Sequence, residues 1–137
     1  ALKPETGLLP ADLKARMTAV KWQFWDSAHW DPACAIFMFE NVVKALFGMG
    51  PPSESELARG AETMARLGPV LDGALAQSRY VTGEAMTVAD LTLAGSFMRA
   101  AEAKYPIASY PSLLRWLDEM RALPAWSAAL ALAAPPG

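Results

Sequence analysis

Between Ser53 and Leu75 the chain carries a pattern that only a packed helix satisfies. Ser53-Glu54-Ser55-Glu56 has the Ser-x-x-Glu form of a capping box. Leu57, Ala61, Met64, Gly68, Leu71 and Leu75 then follow at alternating steps of four and three. Such a seam keeps one face towards a neighbouring helix, and its small members allow close approach. Pro69 interrupts the pattern and predicts a kink within the helix rather than its end.

The remaining sequence reads in the same period. Leu13, Met17, Val20, Phe24 and Ala28 define one stripe of a first helix. Asp31-Pro32 punctuates it, with Pro32 suited to the first turn of a second helix. Ile36, Phe39, Val43 and Leu46 are that helix's expected buried stripe, and Gly48-Met49-Gly50-Pro51-Pro52 ends it. Thr87 and Asp90 are expected to cap a further helix, with Met86 and Leu91 placed as a hydrophobic staple, running to about Lys104. A short helix begins near Pro111 and a last one follows Pro124. Alanine, present 27 times, reinforces helix, and no stretch sustains period-two alternation. The expectation is an all-α bundle of five to six helices over residues 11–134, preceded by a linker at residues 1–10.

The 137 residues suffice for one core. The longest uncharged run, Ala122 to Gly137, is too short and too proline-broken for a membrane span. A net charge of −2 without any basic block offers no nucleic-acid footprint. No membrane or nucleic-acid partner is expected. One cysteine, Cys34, forms no internal disulfide and fits a reducing compartment. One His and one Cys are too few for a metal site.

Tyr80-Val81-Thr82-Gly83, Thr87-Val88-Ala89-Asp90-Leu91, Tyr110-Pro111-Ser112-Leu113-Leu114-Arg115-Trp116 and Leu123-Pro124-Ala125 occur in that order. The set resembles the signature of the C-terminal helical domain of glutathione transferases. Gly7-Leu8-Leu9-Pro10 is similar to that family's interdomain linker, and Pro32-Ala33 to a pair common in its bacterial members. The resemblance spans about Gly7 to Ala128. It implies a parent protein whose thioredoxin-like N-terminal half holds glutathione and activates its thiol. It also implies a cytoplasmic homodimer that processes small hydrophobic electrophiles in detoxification. The helical half would shape the electrophile site and part of the dimer interface. Alone, the chain is expected to be inactive and not to bind glutathione. The alternative is a non-catalytic helical module for protein–protein interaction, as in translation factors and synthetase complexes.

No catalytic residue is assigned. At about 100° per residue, Thr18, Trp22, Trp25 and His29 fall roughly opposite the Leu13–Phe24 stripe, with Lys14 and Lys21 at its edge. Two apolar faces on one helix cannot meet the same neighbours. The second face therefore either packs within this domain or meets something else. Trp22, Trp25, His29, Thr18 and Lys21 are the candidate substrate-binding or interface residues, with at least one Trp expected to stay partly exposed. Thr87 and Asp90 are candidate structural caps. Glu62, Arg66, Arg115, Asp118 and Glu119 read as solvated charge.

Overall fold

A computed structural model describes residues 7–133 of the chain. Residues 1–6 of the expected linker, and residue 134, lie outside the described residues. The architecture is all-α, and among the described residues no strand forms.

Residues 13–47 form one unbroken helical path. It comprises α1 (Leu13–Trp25), a π-helical turn (Asp26–Trp30), α2 (Asp31–Phe37), a second π-turn (Met38–Val43) and α3 (Lys44–Phe47). The expected break at Asp31-Pro32 does not occur. A π-turn bonds i to i−5, as in Asp31 N–H to the Asp26 carbonyl. The chain thereby accommodates a proline that an α-helix interior would not tolerate. Each π-turn also shifts the phase of every later residue, so the expected stripe of the second helix is misplaced. Phe39 and Leu46 are exposed, Ile36 and Val43 are half-buried, and Ala33, Cys34, Phe37 and Glu40 face inward instead.

The first stripe is inverted for a different reason. Leu13, Met17 and Phe24 are 69%, 50% and 71% exposed, while Ala19 and Trp22 are buried on the side of the helix that packs on Val88–Gly95. A helix with two apolar faces gives periodicity nothing to choose by. Here the larger aromatic surface goes inward, where it removes more area from water.

Glu40 is nearly fully buried and accepts from the Lys44 ammonium and the Ser53 amide, both at 2.6 Å. These bonds, Lys44 first, hold its carboxyl below the usual range. They also revise the capping box of α4 (Glu54–Gln77). The Ser53 hydroxyl accepts from Glu56 N, but the Ser53 amide goes to Glu40, and Glu56 pairs with Arg59 instead. The seam of α4 faces the core as expected, with Met64, Gly68, Leu71 and Leu75 buried, and the helix continues through Pro69. Gly60 and Gly68 allow the close packing. A methyl at Gly60 would press on Phe37, and one at Gly68 would overlap the Tyr110 ring.

The helix expected to reach Lys104 stops early. α5 (Val88–Gly95) gives way to i→i−3 bonds at Ser96, Phe97 and Met98, and then to the short α6 (Ala100–Ala103). Gly95 and Ser96 are poor helix formers. The looser path turns Phe97 into the centre of the molecule, against Trp30, Tyr105 and Trp116 at 5.6 to 6.1 Å between ring centres. α7 (Pro111–Arg121) and α8 (Pro124–Ala133) complete the bundle. The Asp72 carboxylate of α4 accepts from Leu113 N and so satisfies the start of α7.

Arg115 is not merely solvated charge. Its guanidinium donates to the carbonyls of Leu75 and Ser78, at 2.9 and 3.3 Å, closing the end of α4.

Candidate functional site

Thr87 and Asp90 form a reciprocal capping box at the start of α5. Asp90 is fully buried. Its Oδ2 accepts from Thr87 N at 2.9 Å and from the Thr87 hydroxyl at 3.3 Å. Oδ1 accepts from Val81 N and from the Trp116 indole, each at 3.1 Å. One carboxylate thus ties the Tyr80–Gly83 turn, α5 and α7 together, which makes it a structural hub.

The tryptophan face of α1 is divided. Trp22 is buried at 6% exposure, with its indole edge-to-face on Trp25 at 5.3 Å. Trp25 is half-buried and stacks on Trp30 at 5.9 Å. His29 is exposed beside Trp25 at 6.5 Å, and the Lys21 ammonium lies 5.5 Å from the centre of the Trp22 ring. Trp25, His29 and Lys21 therefore present groups to solvent, whereas Trp22 is mainly core. Thr18 is half-buried, and its hydroxyl donates back to the Lys14 carbonyl at 3.0 Å. His29 also borders a small cleft of about 170 Å³ shared with Thr63 and Arg66 of α4.

Sequence reading missed a second polar group altogether. Asp26, Asp31 and Ser96 converge where α2 meets the link between α5 and α6. On an α-helix, residues five apart point about 140° away from each other. The intervening π-turn alters that relation, so no periodicity argument could pair Asp26 with Asp31. Burial first, and the Asp31 charge second, push the Asp26 carboxyl up to about 6, against a smaller opposing effect of the Ser96 hydroxyl. Cys34 and Tyr105 lie beside this group. Burial raises both their pKa values and keeps both protonated. Cys34 is therefore a poor nucleophile.

A helical hairpin packed on α5 and α7, with a buried Asp fixing the start of α5, defines an all-helical domain of the glutathione transferase type. Residues 29–124 match the family model described as "Glutathione S-transferase, C-terminal domain". The chain belongs to this family. It is 30% identical over 139 residues to "Glutathione S-transferase 3" of Zea mays, covering 96% of this chain and 61% of that protein. It is 29% identical over 125 residues to the "Glutathione S-transferase" of Hyoscyamus muticus, covering 90% of this chain and 58% of the other. Its fold superposes on a solved glutathione S-transferase-I bound with lactoylglutathione, with a TM-score of 0.84. That match has 19% identity and covers 93% of this chain and 62% of the other. The chain thus spans about three-fifths of the length of these relatives. Among the described residues no helix is long and apolar enough to cross a membrane.

Proposed function

We propose that this chain is the substrate-site and dimerisation half of a glutathione transferase. In this reading the whole protein is a cytoplasmic homodimer that uses glutathione as co-substrate to process small hydrophobic electrophiles in detoxification. A thioredoxin-like half supplies glutathione and the thiol-activating group. The single observation that carries the reading is the apolar stripe of α1, Leu13, Met17 and Phe24, each at least half exposed in a chain of this family. A row of large apolar side chains on one helix face marks a surface to be covered. The Val88 amide, at the start of α5, donates to the Leu8 carbonyl at 2.8 Å, fixing the chain's entry close to the domain body. Trp25, His29 and Lys21, with the more buried Trp22 and Thr18, form the electrophile wall or a second interface in this reading.

The test has two parts. Calorimetric titration of glutathione into residues 1–137 should show no binding, because the helical half offers no backbone cradle for the peptide. The full-length transferase carrying this segment should conjugate glutathione to an aryl halide, and Phe24→Asp should reduce that activity by detaching the two halves. Micromolar glutathione affinity of the 137-residue chain, or full activity with Phe24→Asp, refutes the reading.

A further inference from the structure

The outward side of α1 combines apolar surface with charge of a single sign. At about 100° per residue, Leu13, Phe24, Met17, Lys21 and Lys14 follow one another around a single arc of roughly 100°, opposite the buried Ala19 and Trp22. All five side chains are exposed. Lys21 and Lys14 form the edge of the arc next to Trp25, and the apolar side chains form the rest.

Elsewhere on the surface Lys44, Arg59, Arg79, Arg99, Arg115 and Arg121 each stand in an ion pair. Among the described residues Lys14 and Lys21 form none, and the Lys21 ammonium lies over the Trp22 ring. Leu13–Trp25 contains no acidic residue. The carboxylates that flank it are engaged or turned inward: Asp12 Oδ2 accepts from Ala15 N at 2.8 Å, and Asp26 is 5% exposed. The face is therefore apolar and cationic, in a chain whose net charge is −2.

A surface that covers α1 meets both ammonium groups. Taking an ammonium out of water without a partner is costly, which disfavours a wholly apolar cover. A second copy presenting the same face is disfavoured as well. A two-fold contact sets residue i against j and j against i, so lysine would meet lysine. The chain's entry points to a different cover. Leu8, five positions before Leu13, is bonded to Val88 at the start of α5, and α1 packs on α5. The family model is that of a C-terminal domain, and the relatives are longer than this chain by about two-fifths of their own length.

We propose that α1 is covered by an acidic, partly apolar surface of the half that precedes this chain. Asp or Glu side chains of that surface stand against Lys14 and Lys21, and apolar ones against Leu13, Met17 and Phe24. The inference rests on the reading above, that α1 is a covered face of a two-half transferase, and adds the chemistry of the cover. Complementary charge fixes the register in which the two halves meet, which an apolar stripe alone leaves open.

Lys14→Glu tests the sign of the charge. Lys14 is the second residue of α1, where an acidic side chain suits the helix N-terminus. In the 137-residue chain this variant should melt at the parent's temperature or slightly above it. In the full-length protein it should melt about 3 °C or more below the parent, and high salt should shrink the loss. Phe24→Lys and Phe24→Asp remove the same apolar contact with opposite charge, so in the full-length protein the lysine variant should melt about 3 °C or more above the aspartate variant. Zero-length carbodiimide cross-linking of the full-length protein, read by peptide mass spectrometry, should join Lys14 or Lys21 to an Asp or Glu of the preceding half at the mass of a single chain. If Phe24→Asp melts like the full-length parent, α1 is not covered, and the reading above falls with this inference. If the two Phe24 variants lose stability equally and Lys14→Glu behaves alike in both chains, that reading stands and the acidic cover alone is overturned. Cross-links confined to residues 1–137, or none from either lysine, also overturn it.

Discussion

Replacing Asp90 by Ala removes, besides the partner of the Thr87 hydroxyl, the acceptor for three buried N–H donors at once: Val81 N–H, Thr87 N–H and the Trp116 indole N–H. An N-cap side chain lost by itself costs about 1 to 2 kcal/mol. Each buried donor left without an acceptor costs about 1 to 3 kcal/mol. The sum is an upper bound, because water entering the vacated space satisfies some of the three. We expect Asp90→Ala to lose about 3 to 5 kcal/mol, a large fraction of the stability of a domain this size. Asp90→Asn keeps one acceptor oxygen and should lose roughly half as much. Urea denaturation followed by tryptophan fluorescence reads both variants, with Trp116 reporting its own lost bond. The wild-type slope of free energy against urea should be retained if the fold is otherwise unchanged. A loss below about 1.5 kcal/mol for Asp90→Ala refutes the hub. It would mean that Asp90 is only a local cap.

Asp26→Asn should stabilise the chain at neutral pH. The folded carboxyl sits near 6 against 3.8 for the free group. Its contribution is therefore fully present below about pH 4 and lost as pH rises through 6. Two pKa units set a limit of about 3 kcal/mol, and a gain of about 1 to 3 kcal/mol at pH 7 that vanishes at pH 4 is expected. An equal gain at both pH values contradicts the burial argument. Gly68→Ala should destabilise by about 2 to 4 kcal/mol, since its methyl overlaps the Tyr110 ring and forces α4 and α7 apart. Gly73→Ala, in the same helix with open space around it, should instead gain up to about 1 kcal/mol. Arg115→Met should lose about 1 to 2 kcal/mol in thermal melts through the exposed end of α4. If a screening salt abolishes that difference, the Glu119 ion pair rather than the carbonyl contacts is responsible.

Local chemistry was enough for much of this chain. The α4 seam from Leu57 to Leu75, the caps at Ser53 and Thr87–Asp90, and the starts at Pro111 and Pro124 are all readable because period, cap and proline act over a few residues. The same ordered residues carry the family resemblance. Three other matters were decided only by tertiary packing. Which apolar face of α1 turns inward depends on α5, since Leu13–Phe24 and Trp22–Trp25 are equally periodic. The path through Pro32 depends on the π-turn before it, and the phase shifts of this turn and the next defeat any fixed 3.6-residue template and misplaced Phe39 and Leu46. The meeting of Asp26 with Asp31 and Ser96 joins residues up to 70 positions apart in the sequence. No local rule reaches that far, because side-chain hydrogen bonds across helices are set by how whole elements pack and not by the period of any one of them.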